Sequence, residues 1–277
     1  MKRWWVLMLA ASMAAAQPYV QHDFGQIASA AYRPLFAWCD GPDRVVAVSS
    51  PAKLLGPNET VAVSLASLTK SAPERVNIAR YQLGPADGAA GSVYYGLRPF
   101  GSAASTEGNF LHVSNIQRAD GGYTFTHVVA VTSNGQALEC RYFTVNEADP
   151  ASGGPTEGSV FAGASAKRSV WIQRLPNGRY MYRSFDYVGS ERLPETSESR
   201  VSGDFDTSKR GIRLSNGIRT KTSAGGLVYQ FRNGGYTYRV EVGSTARPFA
   251  RVTVTSNGRT LLSEPFRFYS DSRPRGE

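Results

Sequence analysis

One order of short blocks occurs twice in this chain, and it limits the fold more than any other feature. Gly121-Gly122-Tyr123-Thr124-Phe125 is followed by Val131-Thr132-Ser133-Asn134-Gly135 and then by Cys140-Arg141-Tyr142-Phe143. Gly234-Gly235-Tyr236-Thr237-Tyr238 is followed by Val254-Thr255-Ser256-Asn257-Gly258 and then by Pro265-Phe266-Arg267-Phe268. The second copy is longer by about ten residues between its first two blocks. Upstream, Phe36-Ala37-Trp38-Cys39 can be laid over Phe161-Ala162-Gly163-Ala164. Every block pairs β-branched or aromatic residues with turn residues. The expectation is an all-β chain made by internal duplication.

Each copy has about the length of an immunoglobulin-like β-sandwich. The predicted organisation is therefore a leader at 1–16, a lead-in segment at 17–35, module one at 36–147, a linker at 148–157, module two at 158–271 and a flexible tail at 272–277. The linker carries Asp149-Pro150-Ala151-Ser152-Gly153-Gly154-Pro155, which has no apolar period and many breakers. In the lead-in, Asp23 to Tyr32 reads as a short helix before Pro34.

The strand pattern is clearest in module two. Asn177-Gly178, Asn216-Gly217, Asn233-Gly234 and Asn257-Gly258 each separate two strand-like runs, and Asn-Gly is the strongest two-residue hairpin signal. Tyr236, Tyr238, Val240 and Val242 share one face of a predicted strand, and Thr237, Arg239 and Glu241 share the other. In module one, Arg44-Val45-Val46-Ala47-Val48 and Thr60–Leu65 read as strands, as do Val93-Tyr94-Tyr95 and Phe110–Val113. Gly84 to Gly91 reads as a loop, and Ser190 to Lys209 as an exposed polar excursion.

The first residues read as an export signal. Lys2 and Arg3 precede a short apolar run, and Ala14-Ala15-Ala16 before Gln17 gives the small-x-small pattern of a cleavage site. The run is shorter than the roughly 20 residues a spanning helix needs, so no transmembrane segment is expected in the mature chain. The expected localisation is periplasmic or secreted. Cysteine usage agrees. The two cysteines, Cys39 and Cys140, lie near the two ends of module one, and both are replaced in module two, by Ala164 and Ser263. Joint absence is what a bonded pair predicts, and closing a loop of about 100 residues is worth up to about 4.7 kcal/mol in the chain-entropy picture.

Charge is divided unevenly. Residues 36–147 carry 8 Lys+Arg against 9 Asp+Glu, whereas residues 158–277 carry 20 against 10, and 17 of those 20 are Arg. Arg suits bidentate contact with phosphate, sulfate or carboxylate. Arg213, Arg219, Lys221, Arg232 and Arg239 lie on or beside consecutive predicted hairpins and form the expected anion-binding set. The expected partner is an anionic cell-surface polymer or an acidic protein, with no nucleic acid in vivo.

No catalytic, metal or cofactor site is expected. Ser67-Leu68-Thr69-Lys70 and Lys221-Thr222-Ser223 are similar to the S-x-x-K and K-[ST]-G of penicillin-binding enzymes and serine β-lactamases. That chemistry needs Ser and Lys one helical turn apart. Here Ser71-Ala72-Pro73 ends any helix at once, Ser223 stands where the family has Gly, and the two motifs fall in different copies. His22, His112 and His127 have no ligand spacing. Asp204-Phe205-Asp206 begins like a calcium loop, but Lys209 occupies the glycine position. Asn58-Glu59-Thr60 is a glycosylation sequon. The expected function is thus a non-catalytic, exported binding or scaffolding protein of the cell envelope. The alternatives are a structural subunit or chaperone-like assembly factor, and a hydrolase whose site no motif marks.

Overall fold

A computed structural model of the chain describes residues 19–41, 43–53, 59–89, 92–102, 108–114, 127–133, 136–139, 158–187 and 211–274. Those residues form strands and connecting turns, with no helix among them. No helix of the described residues is long and apolar enough to cross a membrane.

The first unit is a meander of β2 (Arg33–Asp40), β3 (Arg44–Ser49), β4 (Val61–Thr69), β5 (Val76–Ala89), β6 (Ser92–Pro99), β7 (Phe110–Ser114), β8 (His127–Ser133) and β9 (Gln136–Glu139). The second is a meander of β10 (Gly158–Ser165), β11 (Arg168–Arg174), β12 (Tyr180–Asp186), β13 (Gly211–Lys221), β14 (Leu227–Asn233), β15 (Tyr236–Val242), β16 (Ala250–Ser256) and β17 (Arg259–Pro274). β1 (Tyr19–Gly25) precedes both.

Within each unit every strand pairs antiparallel with its neighbour in sequence. The all-β expectation holds, but the sandwich expectation does not. In the second unit β10 pairs with β17, Phe161 opposite Asp271 and Ala164 opposite Phe268, and this closes an eight-stranded up-and-down barrel. An immunoglobulin-like sandwich needs strands that switch between two sheets, whereas short hairpins in strict chain order leave only curling and closure to remove the edges. In the first unit β2 lies beside β8, and no ladder joins the two ends of the meander among the described residues.

The barrel interior is filled rather than hollow. Phe161, Ile172, Tyr182, Tyr229, Phe231, Val240, Val252 and Phe266 are each at most 1% exposed. The first unit has a smaller, aliphatic interior of Val46, Val48, Val63, Leu83, Leu97, Leu111 and Val131. A third apolar layer joins the units. Leu35, Trp38, Val45, Ala47, Ala66 and Leu68 of the first pack on Ala162, Ala164, Trp171, Phe185 and Phe268 of the second. This explains why Val45-Val46-Ala47-Val48 is continuously apolar: Val46 and Val48 face the interior, and Val45 and Ala47 face the other unit. A buried ion pair sits beside this layer. Lys70 Nζ donates to Asp40 Oδ1 at 2.6 Å and to the Gly41 carbonyl, and lies 5.0 Å from the Tyr187 ring centroid.

Four local expectations change. Asp23 to Tyr32 is not a helix: β1 pairs with β17 from Tyr19 opposite Pro274 to Gly25 opposite Phe268. Residues 268–271 therefore carry β1 on one edge and β10 on the other. The flexible tail expected from 272 is strand as far as Pro274, and Ser272 and Arg273 are buried. The stretch from Gly84 continues β5 to Ala89 with one irregularity in register between Leu83 and Ala86. Asn216-Gly217 does not turn the chain; β13 continues through it, with a register shift against β12 between the Leu214 and Gly217 pairs. The Asn216 side chain donates to the Arg232 carbonyl at 2.9 Å and accepts from the Arg232 amide at 3.2 Å, so it stands in for a backbone rung. A Cβ at Gly217 would overlap the Phe231 ring and lie 2.8 Å from the Tyr180 carbonyl oxygen. The glycine permits close approach here, not reversal. At Asn257-Gly258, with φ of 50° and 77°, the hairpin reading holds.

The repeat can now be placed. Phe36–Cys39 lies on β2 and Phe161–Ala164 on β10, the first strand of each meander. Asn134-Gly135 falls between β8 and β9, and Asn257-Gly258 between β16 and β17. Between Tyr236 and Asn257 the chain makes two strands, β15 and β16, while β8 is the described strand before Asn134 and the first Gly-Gly-Tyr block lies outside the described residues. The leader, Asn58, Gly121–Phe125, Cys140, the linker at 148–157, Ser190–Lys209 and residues 275–277 lie outside the described residues.

Candidate functional site

A concave feature lined by described residues lies where β1 and β17 meet the first unit. A cavity of about 230 Å³ is lined by Gln21, Asp23, Phe36, Ala37, Trp38, Tyr95, Val113 and Ser270. Strand alternation builds it. On β1, Gln21 and Asp23 share one face, while His22 and Phe24 point the other way, with Phe24 in the barrel core. On β17, Phe268 and Ser270 face the first unit, while Tyr269 is packed in the barrel core. Ala37 leaves the floor open between Phe36 and Trp38.

The polar wall is one connected network. Trp38 Nε1–H donates to Ser270 Oγ at 2.7 Å. Ser270 Oγ–H donates to Asp23 Oδ1. Gln21 Nε2–H donates to both carboxylate oxygens, at 3.0 and 3.1 Å. Ser270 of the barrel and Gln21 of the bridging strand thereby bond the Asp23 carboxylate directly, and Trp38 of the first unit reaches it through Ser270. Burial raises the Asp23 pKa to about 6, and the hydrogen bonds from Ser270 and Gln21 hold it from going higher. At neutral pH the group is an anion in a poorly solvated wall. Facing it is an aromatic side. Phe36 and Tyr95 pack edge to face with ring centroids 5.0 Å apart, and Trp38 closes the angle between them and Ser270.

The five basic residues expected to bind anions are not brought to one face. Arg213 is half-buried opposite the buried Arg183, with Nε 3.2 Å from Met181 Sδ. Arg219 stands opposite the core residue Tyr229, and its charge acts on the barrel-interior groups Tyr229 and Asp271. Lys221 is exposed at the end of β13, and Arg232 is exposed beside the β14–β15 turn. Arg239 is outward on β15 and pairs with Glu241 at 2.7 Å. Tyr238 is buried in the core as the alternation predicts, whereas Tyr236, next to the turn, is 46% exposed.

The motif-like residues are also resolved. Lys70 is spent on Asp40, and Ser67 is on strand β4, so no helical turn brings the two together. The half-buried Ser165–Arg168–Asp186–Glu264 group is a network of hydrogen bonds and ion pairs across β10, β11, β12 and β17. Cys39 is 1% exposed on β2, and no free thiol occurs among the described residues. The calcium-like Asp204–Lys209 stretch lies outside the described residues, and among those described no group of three His, Cys, Asp or Glu is placed to hold a metal ion.

Gln21, Asp23, Trp38 and Ser270 carry the site, and the sequence reading named none of them for it. Gln21 and Asp23 fall in the supposed lead-in, and Ser270 adjoins the supposed tail. The one available signal was the period-two spacing of Val20, His22 and Phe24 against Tyr19, Gln21 and Asp23, which marks a strand.

No protein-family model matches the chain, and no curated protein matches it in sequence. A crystal structure from Nitrosomonas europaea, described as a "putative AttH", is similar over 92% of this chain and 91% of its own, at 7% identity and a TM-score of 0.24. Likeness at that level assigns no function.

Proposed function

We propose that this protein is an exported, non-catalytic binding protein of the cell envelope, and that its ligand occupies the cavity at the junction of the two units. The carrying observation is the Trp38–Ser270–Asp23–Gln21 network, which draws side chains from both units and the bridging strand to the wall of one open cavity. Concave sites between units, with few convergent polar groups on an apolar wall, are the usual form of small-ligand pockets. Export rests on Lys2-Arg3, the apolar run and Ala14–Ala16. A Cys39–Cys140 bond is supported by the absence of a free thiol among the described residues and by Leu138, which packs against the core cluster that holds Cys39 and covers Gly41.

The test is a thermal-shift screen of small polar compounds on the full chain, repeated on Ala37→Phe, which fills the cavity floor. Hits lost in the variant support the reading. An empty screen, or hits indifferent to the substitution, refutes it.

The anionic-partner reading keeps support from the charge of the second unit and from exposed Lys221, Arg232 and Arg239. Retention on heparin that falls with salt and with alanine at those three positions would support it. Retention indifferent to both would reject it.

A further inference from the structure

We propose that the junction cavity takes a small organic cation, with an ammonium or quaternary ammonium head seated between Asp23 and the Phe36–Tyr95–Trp38 wall. This rests on the reading of the cavity as a ligand site.

The argument is one of missing charge. Five described carboxylates are buried or half-buried, and four of them have a cation bonded to them. Asp40 has Lys70 at 2.6 Å, Asp271 has Arg273 at 2.5 Å, Glu264 has Arg168 at 3.2 Å and Glu241 has Arg239 at 2.7 Å. Asp23 differs. Its donors are the neutral Gln21 amide and Ser270 hydroxyl. Charged groups near β1 face elsewhere: His22 projects from the opposite face of the strand, and Asp271 and Arg273 pair with each other on the barrel side of β17. In a chain of net charge +9, no cation of the described residues is bonded to this carboxylate, whereas the other four have theirs.

The remaining geometry fits a cation in that place. Two carboxylate oxygens offer about four acceptor positions, and the Ser270 hydroxyl and Gln21 amide leave Oδ2 with room for another donor. Among the described residues the cavity lining holds three aromatic rings, one carboxylate and no basic side chain. Aromatic faces beside an anion are the arrangement that recognises alkylated ammonium groups, because the ring quadrupole attracts a cation that water solvates weakly. At about 230 Å³ the cavity is below the usual range for drug-sized ligands, about 300–1,000 Å³, so it suits a head group of a few heavy atoms.

The experiment uses the full oxidised chain and titrations followed by calorimetry and by the fluorescence of Trp38. The probes are tetramethylammonium, choline and the uncharged choline isostere 3,3-dimethylbutan-1-ol. Expected is binding of both cations and at least about fivefold weaker binding of the isostere, since the cation–aromatic and carboxylate contributions are absent from it. Asp23→Asn should erase that difference while melting as a folded protein, and Ala37→Phe should abolish binding of all three. Equal binding of cation and isostere, lost in Ala37→Phe, overturns the cation proposal and leaves the cavity reading standing. Absence of any binding that Ala37→Phe removes overturns the cation proposal and, with an empty screen, the cavity reading as well. The probe comparison on the unmodified chain needs no variant to fold.

Discussion

Arg273 should be among the most costly single side chains to remove from this protein, although it lies four residues before Glu277. Its side chain is 4% exposed, and that of Asp271 is 2% exposed. Arg273 Nε–H donates to Asp271 Oδ2 at 2.5 Å, Nη1–H to the Gly225 carbonyl at 2.8 Å and Nη2–H to the Gly243 carbonyl at 2.5 Å. Gly225 belongs to the β13–β14 turn, and Gly243 opens the β15–β16 connection. One guanidinium therefore ties the last strand to two loops of the barrel. Arg273→Met keeps most of the apolar stem and removes the charge. Breaking a buried pair by deleting one partner costs about 3–5 kcal/mol, because the other charge is left uncompensated. Against a typical stability of about 5–15 kcal/mol, that is a third or more of the total.

The same reasoning fixes the pH dependence. Burial raises the Asp271 pKa to about 6 even with Arg273 beside it, so removing the arginine raises it further. A carboxyl raised above its unfolded pKa of 3.8 binds more protons folded than unfolded, so its contribution to stability falls as pH rises through that interval. The deficit of Arg273→Met should be full at pH 8 and smaller at pH 5, where Asp271 becomes neutral. Urea unfolding followed by near-ultraviolet circular dichroism, with the buried Trp171 of the barrel as fluorescent reporter, measures both. The double variant Asp271→Leu, Arg273→Met should recover most of the loss, since an apolar pair of similar volume carries no buried charge. A deficit under about 1 kcal/mol at pH 8, or one that does not change between pH 8 and pH 5, would refute the argument.

Three further outcomes are expected. Gly217→Val should destabilise the barrel by about 3 kcal/mol or more in the same unfolding assay, because the new side chain overlaps Phe231 and meets the Tyr180 carbonyl; a cost near zero would mean that β13 turns at Asn216-Gly217 after all. Thiol labelling of the unfolded, unreduced protein should find neither Cys39 nor Cys140 reactive, and two labelled thiols would remove the bond from the first unit. Intact-mass measurement of exported material should place the mature N-terminus at or near Gln17, whereas recovery of Met1 would argue for a retained anchor.

The sequence exposed the class of this fold but not its closure, and the reason is the range of the signals. Alternation and Asn-Gly turns are local, and they correctly located β3, β4, β7, β14, β15 and the β16–β17 hairpin. Whether hairpins in series stack as a sandwich or close as a barrel is decided by one long-range ladder, β10 against β17, which no local pattern encodes. Asn216-Gly217 shows the same limit from the other side. Its dipeptide is identical to those of true hairpins, yet a cross-strand partner, Arg232, captures the Asn side chain and the strand continues through it with a register shift. The site was lost for a third reason. Gln21, Asp23 and Ser270 come from the two ends of the chain, where the mean of the composition looked like linker and tail, and they meet only because β1 pairs with the last seven residues of β17. The number of arginines was legible and their direction was not: Arg219 and Arg273 act on the buried Asp271, while Arg213 is half-buried and Arg239 pairs with Glu241. Part of the basic charge of the second unit thus balances carboxylates of the barrel itself. Among the described residues, the half-buried carboxylate whose bonded donors are all neutral, Asp23, lies instead where the two units meet.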